Sequence, residues 1–271
     1  MGAALKDKSV KSRIPPRHVI ITGGSSGIGL ALAKAYLLAG SRVSLVARSQ
    51  ARLEAARNSL PQSCFSHIGL HAADVTDYPA LSVALLAAED SFGPCNLLIT
   101  CAGIVHPASM EALDVADARQ QLDINVMGTI HAIKVLWAGM SARGGTMLLI
   151  SSGAAFIGLH GYGPYCASKA ALVGLADSLR MEAVGTKLTV AICFPPDTDT
   201  PQLAAELPLR SPQAQRVMGT VKPWSPDAVA ARIVRQLQKG RREIFFGMTL
   251  LLLARFGSLV RPVLYWWYSR R

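Results

Sequence analysis

Three side chains of this sequence are spaced to do chemistry together: Ser152, Tyr165 and Lys169. A tyrosine and a lysine four apart on a helix share one face, one turn from each other. An ammonium beside a phenol stabilises the phenolate and lowers the tyrosine pKa from about 10 toward working pH. Tyr165 is then a general acid able to hand a proton to a carbonyl oxygen. Ser152 follows a strand-like run from Thr146 to Ser151 and would set a hydroxyl beside the same oxygen. The tyrosine–lysine spacing alone is common by chance, and its pairing with Ser152 and with a glycine turn near the N-terminus gives it weight.

That turn is Thr22-Gly23-Gly24-Ser25-Ser26-Gly27-Ile28-Gly29. An apolar run, His18 to Ile21, precedes it, and a helix-period segment from Leu30 to Ala39 follows. Strand, glycine turn and helix is the context in which such a pattern binds a dinucleotide pyrophosphate on backbone and helix N-terminus. A second strand, Arg42 to Ala47, runs into Arg48 with no acid near its end. A cation there suits a ribose 2′-phosphate, so NADPH is expected over NADH. Asp74-Val75 closes a third strand where a side-chain acceptor could meet the adenine, or Asp74 could cap the next helix in competition with Asp77. The small residues Ala102 and Gly103, after a fourth strand, let the chain pass close beneath a ribose. Asn125 sits inside an apolar helical stretch, Glu111 to Met140, where its amide needs partners. It either caps structure or holds a water next to Lys169.

The elements that must position these groups alternate strand and helix. Further strands are expected near Ser152 and over Lys187 to Phe194, and helices over Gln50–Ser59, Thr76–Phe92, Tyr162–Val184 and Ser225–Lys239. This pattern predicts an α/β fold with a doubly wound parallel sheet flanked by helices, and ligands at the strands' C-terminal ends. The segment from Pro195 to Pro223 has poor periodicity and is expected to form a mobile substrate lid. Residues 1–16 read as a flexible basic tail, 17–245 as the catalytic domain, and 246–271 as an apolar membrane-associating extension.

Composition fits this. Half the residues are apolar (51%) and few are charged (17%), which excludes wholesale disorder. The net charge of +11 comes with no zinc spacing and no RNA-binding or recognition-helix motif, so no nucleic acid and no metal are expected. Anionic lipid and a phosphorylated cofactor are the likelier partners of that charge. Five cysteines without a paired motif read as reduced thiols. The C-terminal run carries Arg255 and Arg261 in its middle. Each would cost about 2.5–3.5 kcal/mol at a bilayer centre. A segment lying in the interface, with Trp266 and Trp267 at headgroup depth and Arg270 and Arg271 on lipid phosphate, fits better than a span. Burial on the domain or in a dimer contact is the alternative.

Taken jointly and in order, Thr22-Gly23, Gly27, Gly29, Cys101-Ala102-Gly103, Asn125, Ser152, Tyr165 and Lys169 resemble the short-chain dehydrogenase/reductase family over roughly residues 17–245. The resemblance implies a Rossmann fold and a catalytic tetrad of Asn125, Ser152, Tyr165 and Lys169. It also implies a nicotinamide cofactor held by Gly23, Ser25, Ser26, Gly27, Ile28, Gly29, Arg48, Asp74, Val75, Ala102, Gly103, Tyr165 and Lys169, with Pro195, Thr198 and Thr200 at the nicotinamide end. A homodimer or homotetramer through the helices of Asn125 and Tyr165 goes with it. Two departures stand out. The family's usual asparagine pair reads Thr100-Cys101, and its Pro-Gly after the sixth strand reads Pro195-Pro196. The segment Pro195 to Pro201, together with Gly23 to Gly29 and Val46-Ala47-Arg48, is similar to the branch of the family that reduces long-chain sphingoid ketones with NADPH at the cytosolic face of the endoplasmic reticulum membrane. Another lipid-active reductase, for a steroid, retinoid or acyl-chain ketone, and a non-catalytic NADPH-binding scaffold remain as alternatives.

Overall fold

The computed structural model describes residues 15–218 and 222–269. The basic tail over 1–14 and the terminal Arg270 and Arg271 lie outside the described residues. Seven parallel strands form one sheet: β1 His18–Thr22, β2 Arg42–Ala47, β3 Ile68–Ala72, β4 Leu97–Thr100, β5 Gly145–Ile150, β6 Leu188–Phe194 and β7 Glu243–Phe245. Their order is β3-β2-β1-β4-β5-β6-β7. The chain therefore runs outward one way from β1, then returns to β4 and runs the other way. The crevice at that reversal is where doubly wound sheets bind ligands.

Ten helices are described: α1 Gly27–Leu38, α2 Gln50–Asn58, α3 Tyr78–Phe92, α4 Val115–Leu122, α5 Gly128–Arg143, α6 Gly163–Glu182, α7 Pro201–Glu206, α8 Pro212–Met218, α9 Pro226–Gln238 and α10 Met248–Ser269. They cover both faces. Leu32 and Leu37 of α1, Leu53 of α2 and Val229 and Ile233 of α9 bury one face. Leu81 and Leu85 of α3, Ile133 and Leu136 of α5 and Leu172 of α6 bury the other. With apolar neighbours on both sides, the strands read as continuous hydrophobic runs.

Local chemistry sets the helix ends. Ser49, Asp77, Asp114, Thr200 and Ser225 each accept a hydrogen bond from a backbone amide of the helix that follows. Asp77 thus wins the cap that Asp74 could have taken, and α3 starts at Tyr78 rather than Thr76. The expected helix over Glu111–Met140 is interrupted: α4 passes into a π-helical turn, Asp123–Met127, before α5. Ser152 lies beyond β5, capping a 3-10 turn over Gly153–Ala155.

The stretch after β6, expected as a lid of poor periodicity, contains helices that its sequence pattern does not announce. It folds into α7, a 3-10 turn over Leu207–Leu209, and α8. Buried Leu203 and Ala214 and the ion pairs of Arg210 with Asp197 and Glu206 fasten it, too few apolar positions to show a periodic stripe. Residues 219–221 of that stretch lie outside the description. Strand β7, three residues long, was also absent from the expected pattern.

Helix α10 bends at Phe256 and contains Pro262. One side packs on the domain: Leu250 meets Gly153, and Tyr265 Oη accepts a hydrogen bond from Gly158 N at 3.0 Å. Arg255 pairs with Glu243. The other side shows Met248, Leu252, Phe256, Leu259 and Trp266 to solvent. Among the described residues, no helix is long and apolar enough to cross a membrane.

Candidate active site

The site gathers at the C-terminal ends of β1, β4, β5 and β6. Strand β1 delivers the glycine turn. Gly23 N donates to Val46 O at 2.8 Å, which folds the turn onto β2. Gly27 takes φ +54°, and a Cβ there would press on the Thr200 side chain at 3.0 Å. A Cβ on Gly29 would collide with the Gly23 carbonyl. Both positions therefore need glycine, for conformation and for close approach. Ser26 stands at the N-cap of α1 with extended backbone and no side-chain cap bond. The Ser26 hydroxyl thus leaves the N-terminus of α1 without a side-chain cap, as suits a pyrophosphate cradle, while Gly29 N reaches the Cys101 thiol. Ser25 and Ile28 are half-buried along the same turn.

Arg48 follows β2 and lies 3.9 Å from Asp74, which follows β3. Both line a cleft of about 290 Å³ whose far wall is α4, with Arg119, and the π-helical turn after it, with Asp123 and Ile124. Asp74 accepts from Thr76 N and Thr76 Oγ1, both at 2.8 Å. Val75 is buried against Gly128, at the start of α5. Arg119 was not singled out from sequence. An arginine on an exposed helix carries no local mark of the cleft it faces.

Beyond β4 the chain passes beneath the turn. Cys101 N donates to Thr22 O at 3.2 Å, and Ala102 N to Thr22 Oγ1 at 3.4 Å. Backbone and the Thr22 hydroxyl thus secure the segment where the family's usual asparagine is absent. Gly103 faces Asn125 Oδ1 and Lys169 Nζ.

Asn125 is fully buried, and its amide is well partnered. Ile104 N donates to Oδ1 at 2.8 Å, while Nδ2 donates to Ile104 O at 2.9 Å and to Ser168 Oγ at 3.0 Å. Ser168 Oγ donates in turn to Tyr165 O at 2.7 Å. The asparagine therefore ties the segment after β4 to the catalytic helix α6, from a π-helical turn of the kind that gathers at functional sites.

Tyr165 and Lys169 sit one turn apart on α6, with the lysine Nζ 5.6 Å from the tyrosine ring centroid. Lys169 is buried, and its amine donates to Ile150 O at 3.1 Å. Burial pulls that amine down to about 8, the Cys101 thiol opposing weakly. For Tyr165 the balance differs from the sequence expectation. Burial raises the phenol above its ordinary value, the Ser152 hydroxyl pulls it back, and the carboxylates of Glu206 and Asp197 push it up again. Desolvation is the largest effect on the phenol, so the lowering expected from the lysine four residues on is not what sets it.

The strand after Ser152 supplies the roof. Pro195 follows β6. Thr198 is buried with its hydroxyl donating to Pro196 O at 2.8 Å, and Thr200 caps α7 with its methyl on the Gly27 turn. Thr200 is thus placed against the cofactor loop, whereas the Thr198 hydroxyl is turned to its own backbone. The five cysteines are free, and no group of metal-ligating side chains occurs among the described residues.

A family described as short chain dehydrogenase matches residues 17–208. The chain is 31% identical over 255 residues to the 3-ketodihydrosphingosine reductase of Bos taurus, covering 92% of this chain and 77% of that one. It is 32% identical over 269 residues to the 3-dehydrosphinganine reductase TSC10A of Arabidopsis thaliana, covering 98% and 81%. Among solved structures, an actinorhodin polyketide ketoreductase with NADPH superposes with a TM-score of 0.76 at 24% identity, covering 84% of this chain and 94% of that one. That likeness concerns the fold.

Proposed function

This chain belongs to the short chain dehydrogenase family, and from that premise we propose that it reduces 3-ketodihydrosphingosine to dihydrosphingosine with NADPH, a step of sphingolipid synthesis. The observation that carries the reading is the convergence of Ser152, Tyr165 and Lys169 beside a glycine turn whose helix has no side-chain cap. When bound, NADPH supplies the hydride. The chain's residues do the rest. Gly23, Ser25, Ser26, Gly27, Ile28 and Gly29 would hold the phosphates, with Ala102 and Gly103 under the ribose. Arg48 would take the 2′-phosphate, with Arg119 across the cleft, and Asp74 and Val75 the adenine. Pro195, Thr198 and Thr200 would close over the nicotinamide end.

Ser152 would hydrogen-bond the ketone oxygen and Tyr165 would give it the proton. Lys169 would steady the resulting phenolate and bind the ribose, and Asn125 would keep a water that returns the proton. Burial raises the phenol, so it is protonated and ready to donate at neutral pH. The experiment is NADPH oxidation with 3-ketodihydrosphingosine. Tyr165→Phe should lower turnover by about a hundredfold or more while NADPH still binds. Retained turnover in that variant would sink the assignment.

The same reading puts the enzyme on a lipid surface. Helix α10 packs by Leu250 and Tyr265 on the loop after Ser152, leaving an apolar side flanked by exposed Arg255 and Arg261. A sphingoid ketone dissolves in lipid, so a helix resting in the interface would bring the site to its substrate. The endoplasmic reticulum membrane, on its cytosolic side, is the expected place. Exposed Leu122 and Met127 beside Asn125 suit burial in a homodimer or homotetramer.

A further inference from the structure

Beside the catalytic phenol lies a buried charged cluster that proton and hydride transfer do not use. Tyr162, just ahead of α6, donates its hydroxyl to Glu206 Oε1 at 2.6 Å. Arg210 pairs with the same oxygen at 2.7 Å and with Asp197 Oδ2 at 2.8 Å. The side chains are deeply placed: 2% exposed for Arg210, 8% for Glu206 and 21% for Asp197. Asp197 comes straight from the Pro195-Pro196 departure after β6, and Glu206 ends α7. The Tyr162 and Tyr165 rings meet edge-on, 6.3 Å between centroids. The cluster is therefore one ring away from the group that protonates the ketone.

Its charges do not cancel. Two carboxylates meet one guanidinium, Glu206 nearly sealed from solvent and Asp197 partly open to it. Carboxylates in excess of the cations beside them favour a further positive group. The substrate read from the site offers that group, because a sphingoid ketone carries a protonated amine on the carbon next to the carbonyl. With the carbonyl oxygen held by Ser152 and Tyr165, the amine must lie on one side of it or the other.

We propose that Glu206 and Asp197 recognise this ammonium, making the enzyme selective for 2-amino ketones over plain long-chain ketones. The proposal rests on the sphingoid reading above. Binding the amine on the Asp197–Glu206 side fixes which face of the ketone meets the nicotinamide, and it keeps the amine protonated beside the carbon to be reduced. Glu206 and Asp197 act on specificity, and Tyr165 remains the acid.

The test compares kcat/KM for 3-ketodihydrosphingosine with that for the same hydroxyketone lacking the amine. The wild-type enzyme should prefer the amine by about tenfold or more, the range of one charge-assisted hydrogen bond. Glu206→Gln and Asp197→Asn should each shrink that ratio by about tenfold, chiefly through the amine substrate's KM. NADPH binding and the melting curve report whether each variant is folded. If Glu206→Gln fails to fold, Asp197→Asn carries the comparison. A wild-type enzyme that reduces both ketones equally, or a folded variant that keeps the full preference, overturns the inference and leaves the substrate reading standing. A wild-type enzyme that binds NADPH yet reduces neither ketone overturns both.

Discussion

Lys169 gives the most quantitative prediction, because the fold pays to hold it. The amine titrates near 8 in the fold against 10.5 in an open chain, with burial as the cause. At about 1.4 kcal/mol per tenfold change in proton affinity, keeping it charged costs the fold about 3 kcal/mol below pH 8. The sign follows from proton counting. As pH rises from 8 to 10.5 the native protein releases its proton first, so the unfolded chain binds more protons and stability rises with pH. Lys169→Met removes the titration but also the bond to Ile150 O, worth about 1–3 kcal/mol when its loss strands a buried acceptor. The variant should therefore be more stable than wild type at pH 7 by only about 1 kcal/mol, the gain less the loss. The pH dependence of the difference is cleaner than its size. Urea unfolding of both proteins without NADPH should show the wild type gaining on the variant by about 1 kcal/mol between pH 7 and 9. Raised tyrosines and thiols act the other way at higher pH, but they are common to both proteins and leave the difference. A difference that stays flat from pH 7 to 9, or falls, would refute the claim that burial perturbs this amine.

Two further substitutions test the cofactor side. Arg48→Ala should weaken NADPH by about tenfold and leave NADH nearly as it was, read as the ratio of the two KM values; equal loss for both would remove Arg48 from the 2′-phosphate. Gly29→Ala forces a methyl into the Gly23 carbonyl. It should cost about 1–3 kcal/mol in chemical unfolding and loosen NADPH binding, and wild-type behaviour on both counts would mean the turn yields more readily than its packing implies.

The parts of this site that could be read in the sequence are those where a local rule dictates residue type. Gly27 and Gly29 are glycines because backbone and neighbours leave no room, and such positions announce themselves. Tyr165 and Lys169 share a helix face, so their spacing alone brings them together. The alternation of apolar runs and helical segments gave the sheet, since its strands are buried on both faces. What stayed hidden depends on partners far along the chain. Asn125 is conspicuous as an amide in an apolar stretch, yet its tie to Ile104 is a contact with irregular backbone that no periodicity encodes. The π-helical turn around it has no compositional mark. Strand β7 is too short to show a pattern and exists because the edge of β6 is there to receive it.

The stretch after β6 carries the same lesson into function. Its sequence lacks a helical stripe because α7 and the following turn are secured by Glu206, Arg210 and Asp197. A lid closed by apolar packing would have been legible as a helix and silent about its ligand. One closed by a charged cluster shows no stripe on paper, but it sets two carboxylates one tyrosine ring from the catalytic phenol. The residues that made this segment hard to read are therefore the ones that give it the chemistry to choose a cationic substrate.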